Sequence, residues 1–172
     1  MTDKSADDAQ FEVFYAETSR SLWAYLSRTS GMNSVADDLL QETYFRYLKA
    51  DWPRVEPTGR RFFLFRIATN VLHDHFRQQK RSGSAVDPDD VPNTGRNLNL
   101  QLDLAEMLRE DMTAREAQLL WLAYAEGFSH REIARMTDLG ENSIRPLLFR
   151  AREKLASLLT AAGYGRQNRR RT

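Results

Sequence analysis

Apolar positions recur every three or four residues along most of the chain, which is the pattern of helices that bury one face. Three such stretches come first. In the first, which ends near Gly31, the apolar stripe comprises Phe11, Phe14, Tyr15, Thr18, Leu22 and Leu26. The second opens with Ser34 and Asp37 in capping-box-like register and ends at Asp51-Trp-Pro53. Its inward set is Val35, Leu39, Tyr44, Tyr47 and Leu48. The third runs from about Thr58 to Arg81, with an inward set of Phe62, Phe65, Ala68, Leu72 and Phe76.

A polar segment without periodicity then interrupts the helical pattern. Residues 81–96 combine Gly and small polar residues with two prolines and three acidic residues, which predicts a linker. The next stretch, residues 97–104, alternates like a strand but also fits a helical stripe through Leu98, Leu102 and Leu108. We interpret it as the segment that leads into a helix, because the sequence has no second strand pattern with which it could pair. Thr113 and Glu116 predict a capping box for the following helix, which Gly127 ends.

The stretch from Ser129 to Leu155 predicts a helix-turn-helix. Ser129 and Glu132 stand in capping-box register, and Gly140 is predicted to supply the turn. The second helix has an inward set of Ile144, Leu148, Ala151 and Leu155, and an outward set of Arg145, Phe149, Arg150 and Arg152. Outward arginines suit DNA phosphates and guanine edges. An ordinary helical hairpin with solvated arginines fits the same spacing, so this alternative stays open on the pattern alone.

These patterns predict an all-α protein of two small helical domains joined by a flexible linker. We place the first domain at residues 8–81, the linker at 82–97, the helix-turn-helix domain at 98–162 and a basic tail at 163–172. With 172 residues and 41% apolar residues, the chain can form a modest core in each domain.

Charge is segregated along the chain, although the net charge is only +1. Residues 51–81 hold seven basic and three acidic residues, and residues 113–172 hold eleven and six. Residues 1–50 and 82–112 are acidic, with eight acidic against five basic and seven against two. Two basic blocks on separate helices suggest two contacts with a polyanion, whereas the acidic blocks fit a protein partner or a solvated linker.

Composition gives little support to catalysis or metal binding. The chain has no cysteine, so disulfides and thiolate zinc sites are excluded. His73 and His75 are two residues apart on a predicted helix and point to different faces, and His130 does not complete a metal-binding spacing. We therefore expect no cofactor and no enzymatic activity. Without a secretory signal pattern or a membrane-spanning run, we expect a soluble cytoplasmic protein without membrane insertion.

Four stretches together resemble the successive motifs of bacterial extracytoplasmic function (ECF) sigma factors. They are Asp37-Asp-Leu-Leu-Gln-Glu-Thr-Tyr-Phe45, Phe63-Leu-Phe-Arg-Ile-Ala-Thr-Asn70 with Asp74-His-Phe-Arg77, Glu126-Gly-Phe-Ser-His-Arg-Glu-Ile-Ala134, and Phe149-Arg-Ala-Arg-Glu-Lys-Leu155. The resemblance covers roughly residues 8–160, in the family's order and with its linker. It implies a subunit that binds core RNA polymerase, melts and reads the minus-10 element with its first domain, and reads the minus-35 element with its second. The implied partners are core polymerase and promoter DNA, with an anti-sigma factor as a further candidate.

The resemblance also implies three sets of site residues. The core polymerase-binding set is Asp38, Leu40, Gln41 and Glu42. The minus-10 set is Phe63, Arg66, Asn70, Asp74, Arg77, Lys80 and Arg81. The minus-35 set is Ser143, Arg145, Phe149 and Arg150. An aromatic ring can stack on an unpaired base, an amide can bond a base edge in both directions, and basic side chains can contact phosphates.

The chain departs from the family pattern at three positions. Phe63 stands where a Trp is usual, and it is about as well placed to be a core residue as a base-stacking one. Pro146 and Leu147 replace a small polar and an often basic residue after Arg145. With Asn142 as the cap, Pro146 would be the fourth helical residue and would bend the start of the recognition helix.

Two other functions remain open on the sequence alone. One is a stand-alone helix-turn-helix transcriptional regulator whose N-terminal helices sense a signal or dimerise. The other is a helical adaptor that binds only proteins. Co-purification with core polymerase separates all three, because only a sigma factor requires that complex.

Overall fold

A computed structural model describes residues 4–50, 52–83 and 111–164 of the chain, and within these ranges the regular structure is helical. The N-terminal part contains α1 (Lys4–Ser30), α2 (Asn33–Lys49) and α3 (Pro57–Arg81), with a short 3₁₀ turn at Trp52–Arg54 between the last two. The C-terminal part contains α4 (Ala114–Leu120), α5 (His130–Thr137) and α6 (Glu141–Leu159). Single π-helical segments extend α4 to Ala125 and α6 to Tyr164. The predicted all-α class is thus confirmed.

In the N-terminal unit, α1, α2 and α3 pack around one apolar core. Its fully enclosed side chains are Leu22, Tyr25, Leu26, Tyr47, Leu64, Phe65 and Leu72. The buried hydroxyl of Tyr25 lies 2.8 Å from that of Thr69, and the hydroxyls of Thr18 and Tyr44 are also 2.8 Å apart. Burial raises the pKa of Tyr25 and of Tyr44 to about 12, so both phenols stay neutral and can act as hydrogen-bond donors.

Three sequence predictions for this unit are wrong. Helix α2 begins at Asn33 with Met32 as its N-cap, and no side chain caps it, so Ser34 and Asp37 do not form a capping box. The Asp37 carboxylate instead accepts a hydrogen bond of 2.8 Å from the Trp23 indole N–H. Leu48, predicted to point inward, is 49% exposed, and Tyr15 is exposed as well.

In the C-terminal unit, both predicted capping boxes are confirmed. The Thr113 and Ser129 hydroxyls each accept a bond from the backbone N–H three residues on, and Glu116 and Glu132 bond back to the caps. Gly127, with φ of 74°, ends the π-helical extension of α4 as predicted. Gly140 lies in the predicted turn, but with φ of −63° it does not supply the left-handed residue of that turn. The left-handed residue of the turn between α5 and α6 is Asp138, with φ of 54°, and Asp tolerates this region better than most residues.

Gly140 is the N-cap of α6, so Pro146 is the sixth residue of that helix rather than the fourth. The helix continues through Pro146 to Leu159. Residues 84–97 of the predicted linker, the predicted helix at residues 98–108 and residues 165–172 of the predicted basic tail lie outside the described residues. The first two residues of the predicted tail, Gly163 and Tyr164, belong to the π-helical extension of α6.

The two units pack against each other through α1 with α4 and α3 with α5. Glu126, at the end of the π-helical segment, lies at the centre of this contact with a side chain only 2% exposed. Its carboxylate accepts bonds from Ser21 and Arg61 of the first unit and from Trp121 of its own unit. Phe128 packs its ring 5.4 Å from that of Phe65 beside this pair. The contact therefore combines an aromatic cluster with an ion pair between a buried carboxylate and a partly exposed arginine.

Candidate polymerase-binding and DNA-binding surfaces

The first candidate surface is the solvent-facing side of α2. Asp38 and Gln41 are exposed, and Leu40 and Glu42 are half-buried, so the predicted core-binding residues lie together on one helix. The buried side of α2 determines which of its residues face solvent. The residues buried on that side include Ala36, Leu39, Thr43 and Tyr47. A surface with two carboxylates and an amide beside a leucine can bond to a polar and partly basic protein partner.

Two exposed apolar side chains extend this surface, and neither was predicted from the sequence. Phe45 is 52% exposed and Leu48 is 49% exposed. Positions 38, 41, 45 and 48 are separated by three, four and three residues. Phe45 and Leu48 therefore lie on the same stripe of α2 as Asp38 and Gln41. The Lys49 ammonium lies 4.2 Å from the centre of the Phe45 ring. The spacing from Asp38 was the signal that could have identified them.

The second candidate surface is the outward side of α3. Arg66, Asn70, Asp74 and Arg77 are exposed at intervals of four, four and three residues, which places them on one stripe. Lys80 and Arg81 are exposed in the last turn of the same helix. Leu64, Phe65, Ala68, Val71 and Leu72 are buried on the opposite side and fix the rotation of the helix. Four basic side chains and one amide therefore face solvent along about four turns.

Phe63 differs from the rest of the predicted minus-10 set. Its ring is half-buried and lies 5.8 Å from that of Tyr47, against the core of the first unit. This packing leaves only part of the ring open to a base.

Arg46, on α2, also lies beside the α3 stripe, and no sequence motif had indicated it. Its Nη1 donates to Asp74 Oδ2 at 2.9 Å, and its Nε donates to Glu42 Oε1 at 2.6 Å. The hydrogen bonds to Asp74 and then to Glu42 raise the pKa of the Arg46 guanidinium. Arg77 reaches the other oxygen of Asp74 at 3.5 Å. A chain of charged pairs thus connects the α2 surface with the α3 stripe.

The third candidate surface is the outward side of α6, the second helix of the helix-turn-helix. Ser143, Arg145, Phe149 and Arg150 are all exposed, and the Phe149 side chain is 57% exposed. Ile144, Leu148 and Ala151 are buried as predicted, whereas Leu155 is half-buried. Arg152 is exposed and donates to the Tyr124 hydroxyl at 3.2 Å, which links it to the π-helical extension of α4. The predicted minus-35 residues therefore share one solvent-facing side of α6.

The described residues offer no group of His, Asp or Glu side chains that could hold a metal ion. Burial lowers the pKa of His73 and of His75, so neither imidazole gains a charge at neutral pH. None of the described helices is long and apolar enough to cross a membrane.

Comparison with known families agrees with this geometry. The family Sigma-70 region 2 matches residues 14–82, which contain α2, α3 and most of α1. The family Sigma-70, region 4 matches residues 102–155, which contain α4, α5 and most of α6. The RNA polymerase sigma factor CarQ of Myxococcus xanthus is 32% identical over 168 residues, covering 90% of this chain and 91% of CarQ. The chain belongs to the ECF sigma factors of RNA polymerase.

Other similar proteins carry the same family name. The ECF RNA polymerase sigma factor SigC of Mycobacterium tuberculosis is 29% identical over 150 residues, covering 84% of this chain and 80% of SigC. Among solved structures, the sigma factor RpoE of Bartonella quintana, crystallised with the anti-sigma factor NepR, has a TM-score of 0.70. That likeness covers 88% of this chain and 97% of the other at 22% identity, and it shows a shared fold.

This sigma factor carries its region 2 and region 4 matches in the order expected from the sequence motifs. The family assignment confirms the predicted function as an RNA polymerase sigma factor, that is, a DNA-binding transcription initiation factor. The alternative of a stand-alone regulator is not favoured, because its N-terminal helices would have no reason to match region 2.

Proposed function

We propose that each of the three surfaces has a separate binding function in the sigma factor. The α2 surface, with Asp38, Leu40, Gln41 and Glu42, docks on core polymerase. The α3 stripe, from Phe63 to Arg81, holds the unpaired minus-10 strand. The α6 surface, with Ser143, Arg145, Phe149 and Arg150, reads the minus-35 duplex. The domain limits that we propose are the predicted ones, 8–81 and 98–162.

This proposal rests on the charge of the three surfaces. That charge follows from which side of each helix is buried and which side faces solvent. Burial of Ile144 and Leu148 turns Arg145 and Arg150 outward on one helix, where guanidinium groups can reach base edges in a major groove. The α3 stripe joins an amide to basic side chains, which suits a single strand whose bases and phosphates are both accessible. The α2 surface is acidic and apolar instead, and it suits a protein rather than DNA.

We further propose that the chain has no catalytic role of its own, needs no cofactor or metal, and works in the cytoplasm beside the polymerase. An anti-sigma factor is a further partner that we expect, because the similar RpoE was crystallised with one.

The core-docking part is tested by a titration with core polymerase. Replacing Asp38 and Gln41 by Lys should weaken core binding without unfolding the protein, because both side chains are exposed. The matched control is Glu17→Lys, which reverses the charge of an exposed residue on α1. Unchanged affinity of the double variant for core would remove this assignment.

The minus-10 part is tested by separating closed-complex binding from strand opening. Asn70→Ala should impair open-complex formation, measured by permanganate footprinting, more than closed-complex binding in a gel shift. The proposed contact exists only with the unpaired strand. Equal losses in both steps would contradict it.

The minus-35 part is tested with matched and scrambled minus-35 duplexes over a salt series. Removing Arg145 and Arg150 should reduce discrimination, because each good bidentate pair between an arginine and a base contributes about 1 to 3 kcal/mol. Arg131→Ala, an exposed arginine of α5, is the matched control. Deleting residues 163–172 should change total affinity but not discrimination, because a basic tail adds only screened, sequence-independent attraction. The reverse pattern would show that the reading surface lies elsewhere.

A further inference from the structure

Asp74 was assigned to DNA by its place in a motif, but its contacts point to another role. Both of its carboxylate oxygens face an arginine, with Oδ2 2.9 Å from Arg46 and Oδ1 3.5 Å from Arg77. A bare carboxylate on this stripe would repel the phosphates of a strand that Arg66 and Arg77 attract. Arg46 and Arg77 together balance Asp74 and Glu42, which also pairs with Arg46, so this chain of pairs is neutral. The net positive charge of the surface then comes from Arg66, Lys80 and Arg81.

Arg46 is well placed to contact DNA itself. Its side chain is about as exposed as those of Glu42 and Asp74, and the two bonds that it donates use Nε and Nη1. A guanidinium has five N–H donors, so three lie outside these two bonds. Exposed ion pairs of this kind are weak and screened by salt, so a phosphate with full negative charge can compete with either carboxylate for the same guanidinium.

We propose that Arg46 is a further DNA-backbone contact of the minus-10 surface, and that Asp74 is a positioning residue that holds Arg46 and Arg77 towards the strand. This inference rests on the proposed role of the α3 stripe in binding the minus-10 strand. It adds a residue from α2 to that surface, and it removes Asp74 from the residues that touch bases.

The first test measures how DNA affinity depends on salt. Holoenzyme assembled from core polymerase and the full chain is titrated with a forked DNA that exposes the minus-10 strand, at a series of salt concentrations. Each phosphate contact on a single strand contributes about 0.7 to the slope of log affinity against log salt. Arg46→Ala should lower the slope by about that amount and weaken binding by the same factor for every minus-10 sequence. Arg20→Ala, at an exposed position on α1, is the matched control and should leave the slope unchanged.

The second test asks whether Asp74 reads a base. Asp74→Asn is compared with the parent on forked DNAs that differ by one base at each minus-10 position, alone and combined with Arg46→Ala and Arg77→Ala. A positioning residue changes the affinity for all of these DNAs by one common factor. With both arginines present, Asp74→Asn weakens binding; with both arginines gone it no longer weakens binding, because it then removes only a bare carboxylate that repels phosphates. A base-reading carboxylate changes the preference at one position whether or not the arginines are present, and that result would overturn the role given to Asp74.

Comparison with Asn70→Ala separates failure of this inference from failure of the proposed function. If the Asn70 variant loses affinity for the forked DNA while Arg46→Ala leaves affinity and salt slope unchanged, only the role of Arg46 is wrong. If both variants bind like the parent, the α3 stripe does not hold the strand. Far-UV circular dichroism of each variant checks that the helices are intact.

Discussion

The buried carboxylate of Glu126 gives the most direct test of how the two helical units are held together. It accepts hydrogen bonds from Ser21 Oγ at 2.7 Å, from Trp121 Nε1 at 2.8 Å, and from Arg61 Nη2. Arg61 Nη1 also donates to the Glu126 backbone oxygen at 2.9 Å. Glu126→Gln keeps the volume of the side chain but replaces the anion with an amide, whose NH₂ group would face other donors. We expect this variant to be clearly less stable.

The size of the loss follows from burial. Removing one partner of a fully buried ion pair costs about 3 to 5 kcal/mol, because the other charge is left without compensation. Here only Glu126 is buried, with a side chain 2% exposed, whereas the Arg61 side chain is 44% exposed and can be rehydrated. We therefore expect about 2 to 3 kcal/mol for Glu126→Gln, which is close to one or two charge-assisted hydrogen bonds. At about 2 to 4 °C per kcal/mol, the melting temperature should fall by about 4 to 12 °C.

Arg61→Ala should cost at least as much, because it leaves the buried carboxylate without its cation. Urea unfolding followed by circular dichroism measures both variants, and Glu153→Gln, at an exposed position on α6, is the matched control. The two losses should not add in the double variant, since both remove the same pair. If Glu126→Gln is as stable as the control, or if the losses are fully additive, this ion pair does not hold the two units together.

The helical elements could be predicted because their signals are local in sequence. The capping boxes at Thr113 and Ser129 join residues three apart, and the burial of Ile144 and Leu148 follows from spacing within one helix. The same spacing predicts that Arg145 points outward, and its side chain is exposed in the structure.

Contacts between elements were not predicted, because no periodicity specifies which helices meet. Ser21 and Glu126 are 105 residues apart, and Arg46 and Asp74 are 28 apart. Leu48 fits the spacing of the apolar stripe of α2. It is nevertheless 49% exposed, because neither α1 nor α3 covers that edge of α2 closely enough to bury it. At the turn before α6, a glycine was the natural candidate for a left-handed conformation, yet the chain uses Asp138 for it.

Three further predictions concern single side chains. Because burial lowers the pKa of His73, the unfolded chain binds its proton more readily below about pH 6.5. The free energy of unfolding should thus fall as the pH drops from about 7 to 5.5, and urea midpoints should show a smaller fall for His73→Asn. Tyr25→Phe removes the acceptor of the Gln118 amide in a buried site and should cost about 1 to 3 kcal/mol by the same unfolding assay. Pro146 is exposed within α6, so Pro146→Ala restores a backbone N–H without losing core packing. Since a proline in a helix interior is about 3 kcal/mol less favourable than alanine, the variant should melt at a higher temperature. A lower melting temperature would mean that α6 is built around the proline ring, so that the ring stabilises the helix in this position instead of weakening it.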